Sequence, residues 1–124
     1  MRLTITLLLA LALSPISGAT SLSRCVTLTF YDGKQSEGRS VKGILYPEEN
    51  KLIYDWKNGV MDFLWSLPDG AKGGEPDGFE GTYKEDGGRG KFSVRENRKT
   101  QTFEGTYTAR GRNQKNRLVI AYCQ

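Results

Sequence analysis

The sequence predicts an all-β domain, with a small up-and-down antiparallel barrel of about eight strands as the preferred architecture and a β-sandwich as the alternative. Three observations support this prediction. The pentapeptide FEGTY occurs twice, at 79–83 and 103–107. Short segments of alternating apolar and polar residues recur along the chain and are separated by turn residues. One cysteine stands near each end of this region, at Cys25 and Cys123.

The N-terminal segment has the layout of a secretory signal peptide. Arg2 precedes an apolar run at 3–13, and small residues at 17–19 suit a cleavage site. The run has about half of the roughly 20 residues that a membrane-spanning helix needs. We therefore predict a signal peptide at 1–19 and a single all-β domain at 20–124, secreted or periplasmic and without a transmembrane anchor.

The predicted strands share one pattern, in which bulky apolar side chains fall on one face and polar or small ones on the other. In the repeat, Phe79 and Tyr83 face the core, and Phe103 and Tyr107 repeat this arrangement 24 residues later. That offset fits two strands and two turns of a meander. The eight predicted strands are 25–31, 40–46, 51–56, 60–67, 79–83, 91–96, 103–107 and 117–123.

Between the third and fourth strands, Asn58-Gly59 is typical of a two-residue hairpin turn. Such a turn places Asp55 directly opposite Asp62, where two like charges destabilise a hairpin. The pair is a candidate binding or catalytic site, or a weak calcium site. The alternative is a solvated pair that neighbouring lysines screen.

The two cysteines are predicted to form a disulfide, because an exported chain with an even cysteine count usually pairs them. Cys25 and Cys123 alternate with the bulky residues of their strands, so the bridge should lie outside the core. A closed barrel places its first and last strands side by side, which such a bridge requires. A sandwich could also pair them, and two free buried thiols are the remaining alternative.

The two F-x-G-T-Y strands resemble middle strands of avidin-like and other calycin barrels. The resemblance covers about ten residues of the chain and favours a barrel. It implies no ligand and no site residue here. The chain shows neither the Gly-x-Trp of an avidin-type first strand near Cys25 nor the serine and asparagine set of its ligand loops.

The residue inventory restricts the chemistry. The chain has no histidine, which removes the usual general base, the histidine-dependent nucleophiles and most zinc sites. We therefore predict no catalytic residue, no metal and no cofactor. A carboxylate pair can still hydrolyse glycosides, so a glycan hydrolase is the second alternative function.

Charge is distributed unevenly. Residues 32–87 carry seven cationic and twelve acidic side chains, a net charge of −5, whereas residues 88–124 carry nine and two, a net charge of +7. A basic surface of this kind can attract a polyanionic or acidic partner, although an ordinary soluble exterior is the alternative. The residues predicted to bind an anionic partner are Arg95, Arg98, Lys99, Arg110, Arg112, Lys115 and Arg117.

Two further features bear on binding. The loop 68–78 contains two prolines and four glycines and is long for a compact domain, so it is a candidate binding loop or a flexible connector. Trp56 and Trp65 lie on either side of the Asn58-Gly59 turn and are candidates to line a ligand cavity. The alternative is that both belong to the core.

The leading hypothesis is an exported, non-enzymatic interaction protein of the inhibitor, immunity, exclusion or effector type. It would bind a protein or a polyanionic glycan or lipid through the basic C-terminal surface, the loop 68–78, or both. The first alternative is a calycin-like small-ligand carrier. Export argues against a nucleic-acid partner.

Overall fold

The structure is a computed structural model, and it describes residues 23–33, 37–67 and 76–124. The predicted signal peptide at 1–19 lies outside the described residues, as do residues 68–75 of the candidate binding loop.

The described chain is built from eight β-strands and a single 3-10 turn at Pro47–Glu49. The strands are β1 (Arg24–Tyr31), β2 (Arg39–Tyr46), β3 (Lys51–Tyr54), β4 (Gly59–Ser66), β5 (Gly78–Glu85), β6 (Gly88–Asn97), β7 (Thr102–Ala109) and β8 (Asn116–Tyr122).

The eight strands form one closed antiparallel barrel in which each strand pairs with its neighbours in sequence. The barrel closes between the first and last strands, where Leu28 of β1 stands opposite Ile120 of β8. This confirms the up-and-down barrel and excludes the sandwich. Closure satisfies the backbone groups of both terminal strands, so neither presents a free edge.

The core fills the inside of the barrel with the apolar residues that the alternation predicted. Both copies of the repeat place their Phe and Tyr inward, and these four rings are buried. Phe79 is central, with its ring centroid 4.4 Å from Phe63 and 5.2 Å from Phe103. The other buried residues are Val26, Leu28, Phe30, Val41, Leu45, Leu52, Tyr54, Met61, Phe92, Val94, Leu118 and Ile120.

The predicted disulfide is present. Cys25, in β1, is bonded to Cys123, which follows β8, with 5.3 Å between the Cα atoms. The Cys123 amide also donates to the Cys25 carbonyl at 3.0 Å. A disulfide of this kind is typical of proteins that reside in an oxidising compartment, outside the cell or in the periplasm. No helix within the described ranges has the length and apolar character needed to cross a membrane.

The β3–β4 hairpin differs from its prediction. Its turn comprises residues 55–58, and Gly59 is the first residue of β4, paired with Tyr54. Asp62 therefore faces Lys51, with 3.1 Å between the carboxylate oxygen and the lysine Nζ. The predicted opposition of Asp55 and Asp62 is wrong. The ring of Tyr54 occupies the place where a Gly59 Cβ would stand, 2.1 Å from its nearest atoms, so no side chain fits there.

The alternation of strand direction gives the barrel two distinct ends. The disulfide end carries the Cys25–Cys123 bridge and the β6–β7 turn at 98–101. The connections at the opposite end include the turn 55–58, the β5–β6 turn at 86–87 and the β7–β8 loop at 110–115. The end of the barrel at which a basic residue lies determines which other basic residues can act with it.

Candidate functional site

Three cationic side chains lie side by side on the outer wall at the opposite end, on adjacent strands. Lys84 of β5 pairs with Arg89 of β6, and the Arg110 amide just beyond β7 donates to the Arg89 carbonyl at 2.8 Å. All three side chains are exposed. We call Lys84, Arg89 and Arg110 the cationic row. Like charges directly opposite one another destabilise a sheet, so this arrangement needs a physical reason.

The carboxylates nearest to the cationic row do not neutralise it. Glu85 faces the barrel mouth, where the Tyr54 hydroxyl donates to its carboxylate at 2.5 Å. Asp86, in the turn, accepts a hydrogen bond from the Asn58 side-chain amide at 2.6 Å. Within the described ranges, none of the three cations of the row forms an ion pair.

The cationic row borders a depression in the outer wall that spans β4–β7. Its basic half has a volume of about 630 Å³ and its second half, closer to the middle of the strands, about 720 Å³. Asp62, Thr82, Lys91 and Thr108 line both halves, so the depression is continuous. We call it the outer groove. Arg112 lines the basic half and Lys115 the second half.

Side-chain length accounts for the shape of the outer groove. The strand register sets three rows across β5, β6 and β7, about 7 Å apart because residues two positions apart share a face. The first row is the cationic row, the second is Thr82, Lys91 and Thr108, and the third is Glu80, Ser93 and Thr106. Short hydroxyl side chains form most of the floor, with Lys91 and Glu80 among them, and the long side chains of the cationic row form the rim on one side.

The repeated FEGTY segment contributes its residues to this floor. Thr82 and Thr106 occupy the same position of the two copies, and both line the second half of the outer groove. The middle glycines, Gly81 and Gly105, face inward. A Cβ on Gly81 would lie 2.0 Å from the Asp62 carbonyl oxygen, and one on Gly105 would lie 1.8 Å from that of Ser93. Glycine thus permits the close strand approach with which the wall bends.

The structure divides the seven predicted anion-binding residues into three sets. Arg110, Arg112 and Lys115 line the outer groove. Lys99 lies in the β6–β7 turn at the disulfide end, away from the groove. The remaining three form ion pairs, with nitrogen–oxygen distances of 2.9, 3.6 and 3.5 Å. These pairs are Arg95–Asp77, Arg98–Glu96 and Arg117–Glu104.

Glu104 is a well-held partner for Arg117. The hydroxyl of Thr102 donates to the Glu104 carboxylate at 3.0 Å, as does the side-chain amide of Asn97. These hydrogen bonds hold the pKa of Glu104 below its ordinary value. The carboxylate therefore remains charged opposite Arg117, whose guanidinium also lies over the ring of Tyr31 at 4.9 Å.

Sequence reasoning missed Lys84 and Arg89 as site residues. A signal was available in the segment KEDGGR at 84–89, because Asp-Gly is a strong two-residue turn. A turn at 86–87 places Lys84 opposite Arg89, as the structure does. The charge count by region separated these two residues, since it divided the chain after Gly87.

The two tryptophans lie at different ends of the barrel and are not brought together. Trp65 is near the disulfide end, where its indole N–H donates to the Pro47 carbonyl at 3.2 Å. Trp56 is in the turn 55–58, and the guanidinium of Arg39 lies 4.3 Å from its ring centroid. Both pack against the core at its margins. The two rings therefore do not line a common cavity.

At the opposite end, buried tyrosines donate to carboxylates at the barrel mouth. The Tyr107 hydroxyl donates to Asp32, and the Tyr54 hydroxyl donates to Glu85. Burial, followed by these hydrogen bonds, raises the pKa of both phenols well above the ordinary value. Asp32 also pairs with Arg39 at 3.5 Å. Each of the two carboxylates therefore already accepts a hydrogen bond from a tyrosine hydroxyl, and we assign both a structural role.

Comparison with known proteins provides no family for this chain. No family model, no curated protein and no solved structure matches it. In the part of the chain that the structure describes, no group of three or more acidic or cysteine side chains could hold a metal ion. The function has to be argued from the outer groove itself.

Proposed function

We propose that this protein is an exported, non-enzymatic binding protein that holds a negatively charged partner in the outer groove. The observation that carries the proposal is the cationic row, in which Lys84, Arg89 and Arg110 stand on three adjacent strands without a carboxylate partner among the described residues. An anion placed across the row would relieve the repulsion and form charge-assisted hydrogen bonds with two guanidinium groups.

The groove extends this positive surface. Lys91, Arg112 and Lys115 line it as well, so six cationic side chains border one continuous depression. Asp62 also lines it, but its carboxylate is paired with Lys51. Concentrated charge of one sign steers an oppositely charged partner and accelerates its association. An enzyme inhibitor, an immunity or exclusion factor and a secreted effector would all act through binding of this kind.

The alternative functions draw less support from the geometry. For the calycin-like carrier, the interior around Leu28, Met61 and Phe79 is filled by fully buried side chains. For the carboxylate-based hydrolase, Asp55 and Asp62 do not stand opposite each other.

The test is binding of purified, oxidised protein to an immobilised polyanion at about 50 and 200 mM salt. With four or five ion contacts, we expect affinity to fall on the order of 10²-fold across this range. The double variant Arg89→Glu/Arg110→Glu should lose binding at both salt concentrations, because it reverses two of the three charges in the row.

A matched control is Arg95→Glu/Arg98→Glu, which makes the same charge change at the other end of β6. It removes two ion pairs remote from the groove and should retain most of the binding. Equal losses in the two double variants would contradict the groove proposal and indicate a response to net charge alone. Thermal unfolding of each variant verifies that the barrel is intact.

A further inference from the structure

The floor of the outer groove differs chemically from its basic rim. Four hydroxyl side chains line the second half, those of Thr82, Ser93, Thr106 and Thr108. Within the described ranges, none of these hydroxyls hydrogen-bonds to another protein group. On the outer face of β1 and β2, by contrast, the hydroxyls of Thr29 and Ser40 hydrogen-bond to each other at 3.0 Å. The floor therefore presents an array of groups that can both donate and accept.

The charges along the groove form a gradient. The cationic row borders one side of the floor. Glu80 in β5 lies in the row farthest from it, whereas Asp62 in β4 is level with the middle row and Lys115 lines the same half of the groove. In the register, Asp62 stands opposite Thr82, and Leu64 stands opposite Glu80. The first row therefore contains three cations, the second contains two threonines and Lys91, and the third contains Ser93, Thr106 and Glu80. The three rows extend over about 14 Å along the strands.

We infer that the partner in the outer groove is an acidic oligosaccharide, with its sulfate or carboxylate groups on the cationic row and its sugar hydroxyls on the floor. This inference rests on the proposed function and specifies its ligand. Sugar hydroxyls donate and accept in the same way as Thr and Ser, and carboxylates accept strongly from them. A ligand that is negative at one end and polyhydroxylated along its length matches the order of the three rows.

Other anionic ligands fit the groove less well. Single-stranded nucleic acid relies on exposed aromatic rings for base stacking, yet the rings bordering this groove are buried, including Tyr83 and Tyr107 at 7% exposure each. An anionic lipid needs a contiguous apolar surface for its tail. Leu64 is the most exposed apolar side chain here, at 71%, but it is flanked by hydroxyl and charged groups.

An acidic chain without hydroxyls also fits poorly. Polyphosphate carries charge along its entire length, so its far end would approach the carboxylate of Glu80. A glycan places neutral hydroxyls there and gains hydrogen bonds instead of repulsion. Polyphosphate is therefore the informative comparison ligand, because it measures the attraction of the cationic row alone.

The test uses purified, oxidised protein and calorimetric titration with three probes: a tetrasaccharide sulfated only on its terminal sugar, the same tetrasaccharide without sulfate and a short inorganic polyphosphate of similar charge. The key variant is Thr82→Val/Thr106→Val, which removes two floor hydroxyls and keeps the side-chain shape. Valine is favourable in strands, so the barrel should fold. Thr27→Val, on the outer face of β1, is the matched control.

We expect the double valine variant to bind the sulfated tetrasaccharide at least about tenfold more weakly, since it lacks two hydrogen bonds. Its affinity for polyphosphate should not change, and Thr27→Val should alter neither affinity. Unchanged tetrasaccharide binding by the double variant would overturn the glycan inference. Polyphosphate binding that remains sensitive to Arg89→Glu/Arg110→Glu would then still support the proposed function. If neither anionic probe binds, the proposed function fails first.

Discussion

The strongest structural prediction concerns the central glycines of the repeated pentapeptide. Replacing Gly105 with alanine puts a Cβ within 2.8 Å of the Ser93 carbonyl carbon and the Val94 Cα, and closer still to the Ser93 oxygen. Gly81→Ala meets the Asp62 oxygen and the Phe63 Cα in the same manner. All of these are backbone atoms of a paired strand, so no flexible side chain can move aside.

The magnitude follows from how far the strands must separate. Real Cβ atoms essentially never come closer than 3.0 Å, so each alanine must displace the neighbouring backbone by about 1 Å. Overpacking of this kind costs about 1–3 kcal/mol, and strain in two adjacent ladder hydrogen bonds adds about 1 kcal/mol. We therefore expect each variant to lose about 2–4 kcal/mol of unfolding free energy and about 10–25 °C in Tm.

The assay is urea unfolding followed by tryptophan fluorescence, with thermal unfolding by circular dichroism as a second probe. The matched control is Gly88→Ala in β6, where a Cβ would meet no atom within 4 Å. That variant should remain within about 0.5 kcal/mol of the parent protein. A Gly105→Ala variant as stable as Gly88→Ala would refute the reasoning, because it would show that β6 and β7 do not approach so closely.

Two further predictions concern the bridge and the buried phenols. Breaking the Cys25–Cys123 bridge, by reduction or by double serine substitution, should cost about 4–5 kcal/mol in urea unfolding, because it frees a loop with a sequence separation of 98 residues; a loss below about 1 kcal/mol would contradict this. Burial raises the pKa of Tyr54, Tyr83 and Tyr107 above the ordinary 10. The unfolded chain therefore loses these protons first, and stability is complete below pH 10 and falls above it. Tyr83→Phe should make this decline less steep, because one phenol fewer is deprotonated preferentially in the unfolded chain. Urea unfolding at a series of pH values above the ordinary tyrosine pKa measures the slope, and an unchanged slope would argue against a buried Tyr83 phenol.

The strand pattern could be predicted because it depends on local alternation. The faces of Phe79, Tyr83, Phe103 and Tyr107 follow from a period of two, and any packing that buries one of these residues buries its partner on the same strand. The β3–β4 register could not be predicted in this way. It depends on a four-residue turn and on the Tyr54 ring lying over Gly59, which are contacts between two strands.

The candidate site was predicted only in part, for a similar reason. Composition located an excess of positive charge in the C-terminal region, and Arg110, Arg112 and Lys115 do line the outer groove. Composition could not show that Arg95 and Arg117 are paired with carboxylates of other segments. Pairing of this kind requires knowledge of which strands are neighbours and in which register.

By itself, the sequence determined an all-β chain of about eight short strands and favoured a barrel with a Cys25–Cys123 bridge, since alternation acts through backbone geometry. The tertiary structure decided between a barrel and a sandwich. The tertiary structure alone decided which cations share a surface. The hairpin registers bring Lys84 of the acidic region beside Arg89 and Arg110 of the basic region. Charge acts through distance in space, and the closed sheet sets those distances.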